Sequence, residues 1–269
     1  MDTRWKDRTA HSARGHITYR EWAGDGPVVL AIPGTLMDRT MFDPQGEFLA
    51  PTYRLIAVDS RGRSDDRWQG PYTMTDLAQD YLALADLVGI DTFSVFGMSM
   101  GGYVAAFLAL AAPGRVDSII FQNSITTIHP SPNQHIWELL REQDEMGPWT
   151  TELAKQVFGA SAQRHRPELI EHWIHKWYHQ KAQKVYWEVE SQYTRPDIDA
   201  RLGELTMPSL VVHSEDEKFW SKQNAEVFCS RLANGRMVVI TGAGHTAQLE
   251  VPDTVNEIVG DFLADVYAQ

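Results

Sequence analysis

Short apolar runs alternate along this chain with stretches whose apolar residues recur at helical spacing. Residues 28–32, 54–58, 93–97, 116–121, 209–213 and 237–240 are runs rich in Val, Ile and Phe, the make-up of strands covered on both faces. Residues 17–22 predict an earlier, antiparallel strand. Residues 75–88, 100–111, 222–232 and 254–267 predict helices, several of them ended by Gly or Pro, which do not continue a helix. Strand followed by helix, repeated, builds a mostly parallel central sheet with helices on both faces, so the fold class is α/β.

The rhythm breaks between residues 124 and 199. No strand-like run occurs there, and the segment is helical, polar and dense in Trp and His. The expected organisation is therefore a core formed by residues 1–123 and 200–269, with residues 124–199 as a helical insertion. An excursion between the strands at 116–121 and 209–213 lies over the carboxyl ends of the sheet, where open α/β sheets bind ligands, and so reads as a lid.

Composition narrows the function. Hydrophobic residues make up 43% and charged residues 22%, the balance of a globular protein. A formal net charge of −12 repels phosphate backbones and anionic lipid, which argues against nucleic acid and membrane as partners. The opening residues have no apolar stretch of signal-peptide length, and no run approaches a membrane span, so the expected location is cytoplasmic. The single cysteine, Cys229, cannot form an internal disulfide, and its helical surroundings read as packing.

The chemistry is carried by two loops. Gly97-Met98-Ser99-Met100-Gly101 joins an apolar strand to an alanine-rich helix, with the serine at the apex. Side chains two residues either side would collide across so tight a turn, which is why glycines flank Ser99. A serine hydroxyl is a poor nucleophile at neutral pH and needs a neutral imidazole to take its proton. Gly242-Ala243-Gly244-His245 offers one on a glycine-rich loop straight after a strand.

Together with Ala31-Ile32-Pro33-Gly34-Thr35, Asp59-Ser60-Arg61-Gly62 and Met207-Pro208, these motifs stand in the order found in single-domain α/β-hydrolases, and the chain resembles that family from about Ile17 to Tyr267. The resemblance implies the α/β-hydrolase fold with a helical cap, Ser99 as nucleophile and His245 as base. Two loops depart from the family: Pro33-Gly34 replaces the usual His-Gly, and Arg61-Gly62-Arg63-Ser64 shortens its Arg-Gly-His-Gly-x-Ser turn. Both bear on substrate class more than on fold.

The resemblance further implies an oxyanion hole from the backbone N–H groups of Met100, which follows the nucleophile, and of Thr35, in the early strand's loop. In some lactone-cleaving relatives the orienting acid follows the sixth strand, but here that position reads Gln122-Asn123-Ser124, with no carboxylate. The acid then follows the next strand, as Glu217, with Asp216 as the alternative.

Five of the nine tryptophans, Trp137, Trp149, Trp173, Trp177 and Trp187, fall in the insertion with Tyr178, Tyr186 and Tyr193. Trp173 and Trp177 are one turn apart and read as helix packing. Trp187, beside Met37 and Met98, is the expected wall for an apolar or aromatic substrate. His172, His175 and His179 share one helical face and read as a solvated face, so neither metal nor cofactor is expected. The function predicted is a serine hydrolase of small-molecule carboxylic esters or lactones, working through an acyl-enzyme. A carbon–carbon bond hydrolase of the same fold, and a ligand receptor with a vestigial triad, remain as alternatives.

Overall fold

The structure, a computed structural model, describes residues 5–64, 70–127 and 141–268. Eight strands form one sheet: β1 Trp5–Ser12, β2 Gly15–Trp22, β3 Val28–Ile32, β4 Arg54–Val58, β5 Phe93–Met98, β6 Val116–Gln122, β7 Ser209–Ser214 and β8 Gly235–Ile240. Their order across the sheet is β1-β2-β4-β3-β5-β6-β7-β8. Only the β1–β2 and β2–β4 pairings are antiparallel. The predicted strands all appear, with ends within two residues of expectation. β1 was not predicted, because most of its residues face solvent and carry no apolar alternation.

Among the described residues the helices are α1 Asp43–Leu49, α2 Arg61–Ser64, α3 Met74–Leu87, α4 Met100–Ala111, α5 Thr150–Val157, α6 Ala160–His165, α7 Pro167–Tyr178, α8 Ala182–Tyr193, α9 Lys222–Arg231, α10 Ala247–Glu250 and α11 Pro252–Tyr267. The short α1 escaped prediction because it holds Pro44 and Gly46. Gly46 is required there, since a Cβ would lie 2.2 Å from the Trp22 ring, which is fully buried against it.

Two hydrophobic clusters sandwich the sheet. On one face α3, α4 and α9 pack on Leu30, Ile32, Val95 and Phe121. On the other, α1 and α11 pack on Val29, Ala31, Phe96 and Ile120. The second cluster runs without a break into the helical segment through Phe158, Trp173, Trp177, Val185 and Val189. That segment therefore shares its core with the sheet. No described helix is long and apolar enough to cross a membrane.

The chain leaves β3 for β4 on one side and returns to β5 on the other. A parallel sheet opens a crevice at such a reversal, above the carboxyl ends of its strands. The loops after β3 and β5 meet there.

Electrostatics close the other side of the fold. Asp80 of α3, with a side chain 4% exposed, accepts from Arg61 Nε at 2.7 Å and from Arg14 Nε at 2.8 Å. It thereby joins the β1–β2 hairpin, the β4 loop and α3. Removing one partner of such a pair leaves a buried charge uncompensated. Asp80→Asn is therefore expected to lower unfolding free energy by about 3 kcal/mol, as read by denaturant titration. A loss under about 1 kcal/mol would show that solvent, and not Asp80, satisfies Arg61.

Candidate active site

Ser99 sits between β5 and α4 with φ 50° and ψ −116°, a conformation side-chain-bearing residues avoid. The turn is that tight because its neighbours lack side chains. A Cβ on Gly97 would lie 2.4 Å from the Gly101 carbonyl oxygen, and one on Gly101 would lie 2.0 Å from that of Ile32. The end of β6 holds the serine's backbone: Ser99 N–H donates to the Gln122 carbonyl at 3.0 Å, and Ser124 Oγ donates to the Ser99 carbonyl at 2.7 Å. Met100 opens α4, so its N–H has no acceptor within the helix.

Strain is concentrated here. Among the described residues three non-glycine positions have positive φ: Leu36 at 67°, Ser99 at 50° and Asn123 at 42°. They follow β3, β5 and β6, and each conformation costs about 1–3 kcal/mol, which the surroundings must offset.

The loops after β7 and β8 bring His245 and Glu217 together. Strand register sets Ser214 beside Ile240, and two backbone bonds continue the pairing, from Glu215 N–H to the Ile240 carbonyl and from Asp216 N–H to the Ala243 carbonyl. His245 Nδ1 then lies 2.6 Å from Glu217 Oε2. The Glu217 side chain is fully buried, and its other oxygen accepts from Phe219 N–H at 2.8 Å, so the carboxylate cannot turn away. Asp216 points elsewhere. Its carboxylate accepts from Ala160 N–H at 3.1 Å, at the start of α6. The rings of Phe219 and Trp220 flank the imidazole at 4.5 and 5.5 Å, a pair that sequence reading did not single out.

Two further residues, equally silent in the sequence, hold the His245 loop. Asn123 Nδ2 donates to Ser214 Oγ and to the carbonyls of Gly244 and His245, while its Oδ1 accepts from Ser214 N–H. Glu250, 6% exposed, accepts from the N–H groups of Gly159, Gly244 and Thr246 and from Thr246 Oγ1. Through Gly159 the helical segment is tied to this loop, and His245 N–H donates to the Val157 carbonyl at 2.9 Å. The two backbones meet glycine to glycine. A Cβ on Gly244 would stand 2.3 Å from Gly159 N.

On the other side of Ser99, a Cβ on Gly34 would lie 3.2 Å from Ser99 Cβ, so the β3 loop passes against the serine. The next residues are held from α8. Glu188, with a side chain 2% exposed, accepts from Leu36 N–H at 2.9 Å, Ser60 Oγ at 2.8 Å and Arg63 Nη2 at 2.6 Å. Burial works to lower the Arg63 pKa, but the charge and hydrogen bond of Glu188, with Tyr72 and Asp38 nearby, together outweigh it and hold the guanidinium above its ordinary value. Burial and the same carboxylate push the Tyr72 phenol well up.

Of the expected substrate contacts, Met37 and Met98 lie inside the cluster on the α1 side, 2% and 1% exposed. Trp187 packs against the opposite cluster, which contains Met100 and Tyr103. Trp173 and Trp177 are buried as packing residues, and Trp137 lies outside the described residues. His172, His175 and His179 are exposed on α7 and just after it, with His179 Nδ1 3.2 Å from Glu145.

The model of the α/β-hydrolase fold family matches residues 27–162. The chain belongs to that family. This α/β-hydrolase is 29% identical over 261 residues to RutD of Variovorax paradoxus, named as a candidate carbamate hydrolase, covering 91% of this chain and 94% of that one. The 3-oxoadipate enol-lactonase 2 of Acinetobacter baylyi is 24% identical over 237 residues, covering 87% and 88% of the two chains. A thermophilic esterase from Thermogutta terrifontis, solved with malate bound, superposes with a TM-score of 0.88 at 26% identity, covering 97% of this chain and 99% of its own. The shared property is hydrolysis, and the α/β-hydrolase here is an enzyme of that kind.

The Glu250 latch yields a direct test. Glu250→Leu strips three buried N–H groups of their acceptor, at a cost expected to reach at least about 2 kcal/mol of stability. Amide exchange should quicken together in residues 157–160 and 243–246. Acceleration in only one of the two segments would mean that they are not held by a common acceptor.

Proposed function

We propose that this α/β-hydrolase cleaves carboxylic esters or lactones of small apolar or aromatic molecules through an acyl-enzyme on Ser99. The observation that carries the reading is the sealed Glu217–His245 pair, 2.6 Å apart, on the loops beside a strained serine turn. With Nδ1 committed to the carboxylate, His245 keeps Nε2 to accept the Ser99 proton. Glu217 fixes the tautomer and stabilises the imidazolium formed as Ser99 Oγ attacks the carbonyl carbon.

The developing oxyanion is met by Met100 N–H, on the serine's own turn, and Thr35 N–H, on the loop that passes against it. Collapse of the tetrahedral intermediate expels the alcohol, which takes the proton from His245. Water, deprotonated by the same imidazole, then attacks the acyl group and releases the acid. The Phe219 and Trp220 rings beside His245 support an apolar or aromatic substrate. The helical segment caps the site and contributes to its walls.

Ser99→Ala is expected to abolish turnover of short p-nitrophenyl esters while leaving the fold intact, because the strained turn is a cost to stability and not a source of it. Wild-type protein should turn over repeatedly and be inactivated stoichiometrically by a fluorophosphonate. A single slow burst would mark a receptor, and retained activity in Ser99→Ala would remove the serine mechanism.

Glu217→Gln should cost at least about a hundredfold in kcat, and Asp216→Asn less than about tenfold. Asp216 serves Ala160 N–H, so its loss touches the helical segment and not the imidazole. The reverse ranking would reassign the acid.

A further inference from the structure

The loop that carries Thr35 is held chiefly from outside itself. Gly34 to Met37 form a turn closed by Met37 N–H donating to the Gly34 carbonyl at 3.1 Å. Leu36 occupies the third position of that turn at φ 67°, where glycine is the residue that fits without strain. Left alone, the turn would relax by rotating the peptide between Thr35 and Leu36. Both peptides flanking Leu36 are pinned by the helical segment. Glu188 accepts the Leu36 N–H at 2.9 Å, and Gln180 Nε2 donates to the Leu36 carbonyl at 3.1 Å. One turn after Glu188, on the same face of α8, Gln192 Nε2 donates to Thr35 Oγ1 at 2.6 Å.

We propose that Glu188 and Gln192 of α8 are positioning residues for catalysis, holding the β3 loop in the strained turn that aims Thr35 N–H at the developing oxyanion. The inference rests on the ester-hydrolase reading above. It gives the helical segment a role beyond walling the substrate, because that segment completes the geometry of the reacting centre. Glu188 suits the task because one carboxylate serves the β3 loop through Leu36 and the β4 loop through Ser60 and Arg63, and its near-complete burial excludes water as a competing acceptor. Neither residue touches the substrate in this scheme. Their loss is felt in the transition state, when charge arrives on the carbonyl oxygen, and little in substrate binding.

The test compares Glu188→Gln, Gln192→Ala and Gln192→Glu with the wild type on p-nitrophenyl acetate and in labelling by a fluorophosphonate, with melting curves to confirm folding. A single amide oxygen cannot replace two carboxylate oxygens serving three donors, so Glu188→Gln should lower kcat at least about tenfold with KM within about threefold. Gln192→Ala should show a smaller loss of the same kind and leaves no charge unpaired, so it decides the matter if Glu188→Gln fails to fold. Gln192→Glu should recover most of that loss, because the Thr35 hydroxyl can donate to the new carboxylate; a purely structural role for α8 predicts no such rescue. Labelling should slow in step with kcat. Folded Glu188→Gln and Gln192→Ala proteins that are labelled and turn over as fast as the wild type, or that change KM alone, overturn the inference. A wild type that the fluorophosphonate does not label overturns the ester-hydrolase reading itself.

Discussion

Backbone strain at the ends of three neighbouring strands is the constraint around which the rest of the molecule is arranged. Leu36, Ser99 and Asn123 follow β3, β5 and β6, and each holds a positive φ that an isolated chain would abandon. What keeps them there differs in each case. Ser99 is trapped by flanking glycines that let two backbones almost touch, and by the end of β6. Asn123 is fixed by its own side chain, which reaches β7 and the His245 loop. Leu36 is secured by the Glu188 carboxylate on α8 and by the Gln180 amide in the loop before it, both more than a hundred residues away. A turn maintained by such distant partners is fixed by the fold as a whole and not by its own sequence, the kind of preorganisation that the proposed chemistry would require.

The helical segment thus meets the site on two sides. Between α5 and α6 it meets the His245 loop at Val157 and Gly159, and α8 lies against the β3 loop. Its apolar face belongs to the same cluster as α1 and α11. The acidic net charge is distributed to match: buried carboxylates such as Glu188, Glu217 and Glu250 each serve several donors, so that their charge organises loops instead of seeking solvent. Such groups are tolerated inside a fold only when their acceptor capacity is used.

This division explains what the chain's order of residues reveals. The central strands were legible because parallel strands covered on both faces must be unbroken apolar runs. The solvent-facing β1 was not, for the complementary reason. Ser99, His245 and Glu217 could be named as candidates because each sits on a loop directly after a strand, and strands fix loops to one end of the sheet. Glu188 could not, since a glutamate in an amphipathic helix reads as surface, and its decisive partner Leu36 is 152 positions earlier. Asn123 appeared only as a missing carboxylate. Its actual work, binding Ser214 across 91 positions, depends on a turn conformation that no local pattern announces.

The crossing of Gly159 and Gly244 couples two distant stretches of the chain. Because each backbone occupies the space where the other's side chain would grow, the two positions behave as one site divided between the His245 loop and the helical segment. A side chain added at either place must push the facing backbone away. A different helical segment placed on this core would have to bring a glycine to that crossing or part the two backbones there.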